Sequence, residues 1–395
     1  MLKDNSNRPV IVQKYGGSSV STPEHIKQVA QLIKKSCDAG NKLCVVVSAM
    51  GKTTDQLLLT AKEISQNPSR RELDMLLSCG ERASMALLAM ALHEEGVPSI
   101  SLTGSQSGII TDDVHSGASI IEVRPHRVQS ELDLGKVVIV AGFQGVSFKK
   151  EITTLGRGGS DTTAIALSAA LNAVACEIYS DVAGVYTADP KVVSEAQLLD
   201  TVSFEEMETL ASLGAKVLNQ EAVSFAKDRG ITIFARKTGD AHQETIIKDI
   251  NITSNKAFIA IAYQPCLLRL HVKQIQHLAA LLKALSMAGI APTQIFSGWC
   301  FISLDDSHGI DSILKKMPQV QADQDFGTVS FIGKGILASP YLLVEALEIF
   351  KNSHIQVGGI SATTQQVSFA LSKNDVLNAV QLLHNAFLKE RQRVN

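Results

Sequence analysis

Residues 155–164, LGRGGSDTTA, combine three glycines, a cation, an acid and hydroxyl groups more densely than any other stretch of the chain. Glycines at this spacing let the backbone adopt positive φ and turn its N–H groups towards one point, which favours a bound anion. The apolar run over residues 164–171 indicates a helix packed against a sheet. A glycine-rich turn before a helix favours phosphate, because unpaired N–H groups and the helix dipole both attract negative charge.

The same stretch could be a tight turn between a strand and a helix, with Asp161 as the helix N-cap. A plain turn requires neither Arg157 nor Asp161. The presence of both a cation and an acid therefore favours the anion site over the plain turn.

Other residues suited to chemistry lie where predicted strands end. Lys14 follows the apolar strand 10–13 and leads into a second glycine-rich segment, residues 15–19. The continuous apolar strand over residues 43–50 is typical of a parallel sheet buried on both faces. Glu81 interrupts the apolar stripe of a helix predicted from Arg71 to Glu95.

The elements that must position these residues alternate between strand and helix over about 240 residues, which predicts a doubly wound, mainly parallel α/β sheet. The sequence Thr22-Pro23-Glu24 predicts the start of a helix that runs to about Ala39. Further strands are predicted at residues 98–102, 136–141, 175–179 and 231–234. Ligands of such sheets bind at the carboxyl ends of the strands, where the glycine-rich and acidic stretches lie.

Length and composition limit the class of protein. A chain of 395 residues is long enough for roughly two or three domains. The net charge of −2 predicts no basic face, so nucleic acid is not expected as a partner. The N-terminus lacks an apolar signal region, and the apolar runs fall short of the roughly 18 residues that span a membrane. A cytoplasmic protein without a membrane segment is therefore predicted.

The six cysteines and ten histidines form no recognisable metal or redox motif. No two cysteines have the spacing of a metal-binding or redox pair, and no His-Glu-x-x-His sequence occurs. Buried reduced thiols, and no metal ion held by the protein itself, are predicted.

The C-terminal part of the chain follows a different pattern. A polar segment predicts a boundary zone from residue 239 to about residue 256. Beyond it lies a weak internal repeat, in which 65 residues separate Ile290 from Ile355 and 67 separate Leu304 from Leu371. The repeat predicts one small module present twice. Each copy is expected to carry strand, helix, strand, strand, helix and strand, in roughly 60–70 residues.

Four stretches, taken in order, resemble the aspartate kinases of the amino acid kinase family along nearly the full length of the chain. They are residues 12–20, 47–55, 156–164 and 180–190. The duplicated tail resembles the paired ACT regulatory modules of the same enzymes. The resemblance implies a catalytic domain of the amino acid kinase fold over residues 1–245, followed by two βαββαβ ACT-like modules over residues 257–395.

The resemblance also implies a reaction, the transfer of the ATP γ-phosphoryl group to the side-chain carboxylate of L-aspartate, the first step towards lysine, threonine and methionine. That carboxylate is ionised at neutral pH, with a pKa of about 3.9, so no general base is needed. Cations and backbone dipoles must instead bring two anions together. The implied cofactors are ATP and Mg²⁺, the latter bound mainly through the phosphates. A homodimer through the ACT region is implied, and dimers could pair into tetramers.

The resemblance implies a role for each of several individual residues of this chain. Lys14 is expected at the phosphates, Asp161 is expected to orient Lys14, and Arg157 is expected to bind the substrate α-carboxylate. The expected substrate-binding residues are Ser18, Ser48, Thr54, Glu81, Arg157 and Ser160. The expected nucleotide-binding residues are Lys14, Gly16, Gly17, Ser180, Asp181, Tyr186, Asp189, Pro190 and Lys216.

Four of these residues have ordinary structural alternatives. Lys14 could be an exposed lysine at a strand end, and Glu81 could be a surface residue whose stem lies along the helix. Ser48 and Thr54 could cap turns instead of holding the substrate side-chain carboxylate. In the family, Glu81 would face the substrate amino group.

The sequence departs from the family in two regions. Ala183 replaces an acid near the nucleotide, and Asn219 with Gln220 replaces the common His-Pro pair. In the tail, the turn at residues 272–274 lacks the usual glycine, and the second copy places Tyr341 after Gly333, Gly335 and Pro340. Feedback inhibition by lysine and threonine is therefore expected to be weak or altered.

The sequence leaves two alternatives to an aspartate kinase function. A kinase of the same fold could phosphorylate glutamate, acetylglutamate or a nucleotide, which Glu81, Arg157 and the paired modules disfavour. The chain could also be an inactive amino-acid-binding regulator that kept its ACT repeat. The presence of Lys14, Arg157 and Asp161 argues against the inactive regulator.

Overall fold

A computed structural model describes residues 8–156, 158–215, 217–250, 259–296, 298–304, 309–333, 336 and 340–393, with the backbone alone at residues 241, 242 and 388–393. The chain forms two compact units. The first lies within residues 1–185, 198–208 and 217–250, and the second within residues 186–197, 209–216 and 251–395. Two short segments that precede the predicted boundary therefore belong to the second unit, and the domain limits stay a prediction.

Helices and strands are mixed through residues 8–250, as the predicted α/β class requires. The helices are α1 (Pro23–Asp38), α2 (Thr53–Ile64), α3 (Arg70–Glu94), α4 (His126–Asp133), α5 (Gly159–Ala170), α6 (Phe204–Ser212) and α7 (Gln220–Arg229). The strands are β1 (Val10–Tyr15), β2 (Lys42–Val47), β3 (Ser99–Leu102), β4 (Ile109–Thr111), β5 (Ile120–Val123), β6 (Val137–Ala141), β7 (Gln144–Ser147), β8 (Ile152–Thr154), β9 (Ala175–Ser180), β10 (Thr201–Ser203), β11 (Ile233–Lys237) and β12 (Asp240–Lys248).

The central sheet has eight strands in the order β10-β12-β11-β9-β1-β2-β6-β3. From β11 to β3 every neighbouring pair is parallel, which confirms the predicted mainly parallel sheet. Strands β2 and β6 are buried at every position, as continuous apolar runs predict. Because β1, β2, β9 and β11 run in the same direction, the loops that follow them share one edge of the sheet.

Helix α1 begins where the sequence predicts. Thr22 is its N-cap, the Thr22 hydroxyl accepts a hydrogen bond from the His25 N–H at 3.3 Å, and Pro23 occupies the first turn. Its buried face contributes Ile26, Val29 and Ile33 to the core formed with β2 and α3.

The predicted boundary zone is wrong at its start. Residues 240–248 form β12, which pairs antiparallel with β11 through a turn at Gly239, where φ is +86°. The segment is polar because β12 is the second strand from one side of the sheet, next to the outermost strand β10, where alternate side chains meet water. A second, four-stranded sheet in the order β5-β4-β7-β8 was not predicted either, because its strands have only three or four residues.

Helix α3 is long and apolar enough to cross a membrane by length and composition alone. Asp74, Ser78, Glu81 and Ser84 are nevertheless buried on it, and Met85, Leu88, Ala89 and Leu92 join the core of the first unit. Buried core helices of water-soluble domains commonly pass the same test.

The second unit is built largely from residues 259–393. Its strands are β13 (Ala260–Val272), β14 (Gln294–Phe296), β15 (Trp299–Ile302), β16 (Val320–Ile332), β17 (Val357–Ala362) and β18 (Gln366–Ser372). Its helices are α8 (Ile275–Met287), α9 (Ile310–Lys316), α10 (Pro340–Asn352) and α11 (Val376–Arg393). The repeat is confirmed, since Ile290 and Ile355 precede β14 and β17, the matching strands of the two copies.

The two copies are not simply consecutive in sequence, because the second copy takes one strand from residues that precede the first. All six strands form one sheet in the order β14-β15-β13-β16-β18-β17. Residues 267–272 of β13 pair with residues 320–326 of β16, and residues 260–264 pair with residues 328–332. The first half of β13 therefore supplies the last strand of the second copy, although it precedes the first copy in sequence. A pattern of local periodicities cannot reveal this exchange, because it depends on pairing between distant segments.

The six cysteines are free thiols. Cys44, Cys176 and Cys300 are buried, as predicted, and burial raises the pKa of Cys44 to about 12. Cys79 is exposed on α3, and Cys37 and Cys266 are partly exposed, which corrects the expectation for these three residues.

Candidate active site

Lys14 and Asp161 form an ion pair at the edge of the sheet where the parallel strands end. Lys14 is the penultimate residue of β1 and Asp161 lies in the first turn of α5. The Lys14 Nζ lies 2.6 Å from Oδ1 of Asp161, with the side chains 12% and 10% exposed. The alternative of an exposed lysine at a strand end is therefore wrong.

The glycine-rich turn before α5 contains a left-handed residue, Gly158. Gly158 is the N-cap of α5, with φ of +68°, so the alternative in which Asp161 is the N-cap is wrong. Gly156 and Gly159 do not adopt positive φ. The N–H of Gly159 donates to the Gly156 carbonyl at 3.0 Å, and the N–H of Asp161 donates to the Gly158 carbonyl at 2.8 Å. These two amides are satisfied within the turn, which corrects the expectation that they point to an anion.

Asn219 lies against Gly158, which gives one departure from the family pattern a structural role. A Cβ added to Gly158 would lie 2.1 Å from the Cβ of Asn219. The Asn219 side chain also caps α7 by accepting hydrogen bonds from the N–H groups of Glu221 and Ala222, at 2.9 and 3.4 Å. Asn219 therefore supports the glycine-rich turn and starts α7 at the same time.

The loops after β1 and β2 approach each other closely. The N–H of Gly51 donates to the Gly17 carbonyl at 3.0 Å, and a Cβ on Gly17 would lie 2.9 Å from the carbonyl oxygen of Ala49. The N–H of Ser48 donates to the Tyr15 carbonyl at 3.1 Å. Glycine at position 17 is thus required by contact between backbones rather than by positive φ.

Glu81 contacts the same loop from α3. Its side chain is 3% exposed, and one carboxylate oxygen accepts a hydrogen bond from the Ala49 N–H at 3.2 Å. A Cβ on the preceding Gly80 would lie 2.8 Å from the Cβ of Ala49. Gly80 therefore lets α3 approach the end of β2, and the surface alternative for Glu81 is wrong.

The second carboxylate oxygen of Glu81 is buried and has no hydrogen-bond partner among the described residues. Burial raises the pKa of Glu81 to about 7. An unpaired buried carboxylate is costly, so a cation placed against it would be bound tightly.

The remaining predicted substrate residues lie around this edge. Ser160 is 7% exposed in α5, and a Cβ on Gly142 would lie 2.7 Å from its hydroxyl. Thr54 is half-buried in the first turn of α2, and Ser18 is exposed in the loop after β1. Arg157 lies outside the described residues, so its predicted role stays a prediction.

On the predicted nucleotide side, the N–H of Gly16 donates to the Tyr179 carbonyl at 3.1 Å, which ties the loop after β1 to the end of β9. Ser180 is the last residue of β9, and its hydroxyl accepts a hydrogen bond from the Val182 N–H at 3.2 Å. Asp181 is exposed between them.

The structure assigns three predicted nucleotide-binding residues, Tyr186, Asp189 and Pro190, to the second unit. There the Asp189 carboxylate accepts a hydrogen bond from the Tyr263 hydroxyl at 3.0 Å. Lys216 lies outside the described residues. The roles of these four residues therefore stay predictions.

Sequence reasoning missed Asp74, which is fully buried on α3. Its carboxylate accepts hydrogen bonds from His115 Nδ1 at 2.6 Å, the Ser116 N–H at 3.0 Å and the Thr154 hydroxyl at 2.5 Å. Asp74 thereby anchors the end of β8, just before the glycine-rich stretch. It lies seven residues before Glu81, on the same face of α3. An acid at that spacing within an apolar stripe could have identified Asp74 as a buried residue from the sequence.

Taken together, the described residues at this edge offer a largely shielded cation, an acid paired with it and a buried acid with an unpaired oxygen. No group of three or more His, Cys, Asp or Glu side chains in the described ranges could hold a metal ion. The arrangement suits binding of an anion next to a ligand that carries an ammonium group.

Comparison with known proteins agrees with this geometry. Residues 9–236 match the model of the amino acid kinase family. An aspartokinase of Geobacillus stearothermophilus is 40% identical over 394 residues, which cover 96% of this chain and 97% of that protein. Aspartokinase 2 of Bacillus subtilis is 37% identical over 397 residues, with the same coverage.

Solved structures show the same similarity. The crystal structure of E. coli aspartokinase III in complex with aspartate and ADP superposes with a TM-score of 0.80 at 24% identity, covering 95% of this chain and 99% of that one. The crystal structure of aspartate kinase from Synechocystis is 34% identical, with a TM-score of 0.57, and the match covers 96% of this chain and 69% of that one. The first supports the fold, and the second supports the fold and the family.

Proposed function

The chain belongs to the amino acid kinase family and, within it, to the aspartokinases, and we infer that it phosphorylates L-aspartate with ATP as the phosphoryl donor. A side-chain carboxylate oxygen of aspartate attacks the γ-phosphorus, the new O–P bond forms, and the bond from phosphorus to the β–γ bridging oxygen breaks. The products are 4-phospho-L-aspartate and ADP. No proton has to move, because the attacking carboxylate is already ionised.

The ion pair of Lys14 and Asp161 is the observation that carries this proposal. Phosphoryl transfer depends on positioning and on neutralising charge on the transferred group. Lys14 supplies a cation at the end of β1, and Asp161 holds that cation on the side of α5. The backbone amides of Gly16 and Gly159 already donate hydrogen bonds within the protein. Side chains must therefore supply more of the charge neutralisation at the phosphates.

Glu81 is proposed to bind the ammonium group of aspartate. Its unpaired, buried oxygen would gain the partner that it lacks among the described residues. Ser48 and Thr54 would hold the side-chain carboxylate, and Arg157 the α-carboxylate. This set would discriminate against an acceptor without an amino group, because the Glu81 charge would then stay buried and unpaired.

ATP is proposed to bind as its Mg²⁺ complex. Mg²⁺ commonly keeps several water ligands and binds through substrate phosphates with one or two carboxylates. The ion would add positive charge at the phosphates. Lys14, Gly16, Gly17, Ser180, Asp181, Tyr186, Asp189, Pro190 and Lys216 are proposed to bind the nucleotide.

We also propose an assembly and a cellular location for the protein, both on the basis of its family membership. The second unit would form a homodimer, since sheet edges can pair across a two-fold axis. The enzyme would act in the cytoplasm, and inhibition by lysine and threonine would be weak or altered.

The test is an assay of ADP release by the purified protein with Mg-ATP and L-aspartate, L-glutamate or no acceptor. Hydroxylamine, which traps acyl phosphates, would identify the product. We expect ADP release and hydroxamate formation only with L-aspartate. ADP release that does not depend on aspartate would contradict the proposal, whereas aspartate binding without turnover would favour the inactive regulator.

A further inference from the structure

Thr238 joins the loops that follow three neighbouring strands through a short chain of hydrogen bonds. Its hydroxyl lies 2.6 Å from the hydroxyl of Ser19 and 3.2 Å from the carbonyl oxygen of Ser180. The Thr238 N–H donates to the same carbonyl at 3.0 Å. A carbonyl can only accept, and the Thr238 hydroxyl has one hydrogen, so Ser19 donates to Thr238 and Thr238 donates to Ser180.

The position of this chain follows from the sheet order. Strands β1, β9 and β11 are adjacent and parallel, so the loops after them lie side by side. Ser19 belongs to the loop after β1, Ser180 ends β9, and Thr238 follows β11. The bond between Ser19 and Thr238 thus reaches across the end of β9. Ser19 is 5% exposed, so water competes little for this bond.

The result is a fixed backbone on both sides of Asp181. The Ser180 carbonyl accepts two hydrogen bonds from Thr238, and the Tyr179 carbonyl accepts one from the Gly16 N–H. On the other side, the Val182 N–H donates to the Ser180 hydroxyl. Rotation of the peptide between residues 180 and 181 would break the contacts with Thr238.

We propose that Thr238 is a positioning residue for the nucleotide, which holds the loop after β1 and the loop after β9 in one arrangement without having to touch ATP itself. The proposal rests on the function proposed above, in which Gly16, Gly17, Ser180 and Asp181 bind the nucleotide. Among the proposed substrate residues, Ser18 lies next to Ser19 in the loop after β1. Ser48, Thr54, Glu81 and Ser160 belong to other segments, which this chain of hydrogen bonds does not join. The effect of Thr238 should therefore fall mainly on ATP and much less on aspartate.

The test compares Thr238→Val, which keeps the shape and removes the hydroxyl, with Thr238→Ser, which keeps the hydroxyl. Ser19→Ala removes the hydroxyl that donates to Thr238 and leaves Thr238 itself unaltered. The measurements are KM for ATP and for aspartate, kcat, and Kd for ADP by calorimetry. We expect Thr238→Val and Ser19→Ala to raise KM for ATP and Kd for ADP about five- to tenfold, the effect of one net hydrogen bond, with KM for aspartate within about twofold.

Thr238→Ser should restore nucleotide binding to within about twofold of the unaltered protein. Equal changes in both KM values, or a lower melting temperature with unchanged KM for ATP, would overturn the proposal in favour of a merely structural tie. Should Thr238→Val fail to fold, Ser19→Ala and Thr238→Ser still decide the matter by the same readouts. Absence of aspartate-dependent ADP release by the unaltered protein would instead reject the proposed function, which separates the two failures.

Discussion

The Lys14 Nζ lies 2.6 Å from Oδ1 of Asp161, and both side chains are largely shielded from water. The two residues come from different elements, so the pair exists only when β1 and α5 are in place. Removing one partner leaves the other charge buried and unpaired, which is more costly than the pair is favourable.

Lys14→Met should abolish turnover and also destabilise the protein by about 2–4 kcal/mol, because the Asp161 charge loses its partner. The double variant Lys14→Met/Asp161→Asn should recover much of the stability and none of the activity. Chemical unfolding and the ADP-release assay check the two effects separately. Recovery of activity in the double variant would contradict the proposed role of Lys14.

Glu81 should make aspartate binding depend on pH. Its pKa is raised by burial to about 7, so the carboxylate ionises near neutral pH, and the ammonium group of aspartate favours the ionised form. KM for aspartate should therefore fall as pH rises through about 7, and Glu81→Gln should raise KM at about pH 8 and flatten the profile. KM for ATP serves as the control. An unchanged aspartate profile in Glu81→Gln would reject this role.

The same shift predicts how stability varies with pH in the absence of substrate. Above pH 4.5 the unfolded chain loses the Glu81 proton, while the folded protein keeps it up to about pH 7. The folded state thus binds more protons in this window, and the free energy of unfolding falls as pH rises, by up to about 3 kcal/mol from this residue. Glu81→Gln should be more stable than the unaltered protein at about pH 8 and should lose this part of the pH dependence in denaturant titrations.

Gly158→Ala should disrupt the glycine-rich turn, whereas Gly156→Ala should be tolerated. At position 158 a Cβ would meet both a φ of +68° and the Asn219 side chain. At position 156 no heavy atom of the described residues lies within 4 Å of an added Cβ, apart from chain neighbours. We expect Gly158→Ala to cost at least about 2 kcal/mol of stability and to raise KM for aspartate, and Gly156→Ala to stay within about 1 kcal/mol. Equal stability of the two variants, measured by thermal unfolding, would refute the steric argument.

Lysine and threonine should inhibit weakly or not at all. The turn between β13 and α8 has no glycine to let the backbone approach an amino acid, and Tyr341 is 61% exposed at the start of α10. Aspartate-dependent ADP release should therefore be unchanged by either amino acid, and neither should raise the melting temperature, whereas a bound ligand such as ADP should. Inhibition by lysine at millimolar or lower concentration would contradict this prediction.

Much of the first unit could be predicted from local patterns. Continuous apolar runs identified β2 and β6, and Thr22 with Pro23 identified the start of α1, because these signals depend on residues close in sequence. The short strands of the second sheet and polar β12 gave no such signal. Contacts with other elements, not their own composition, make those segments strands.

The sequence by itself determined which chemical groups are available and which strand ends carry them, because residue type and local periodicity are properties of short segments. Only the tertiary structure decided that Lys14 meets Asp161, that Glu81 is buried with an oxygen unpaired among the described residues, and that Gly158 adopts positive φ whereas Gly156 and Gly159 do not. It also decided that the start of β13 completes the second copy of the repeat. Each of these depends on distant segments packing together, and the free energy of such contacts is not encoded in any one segment.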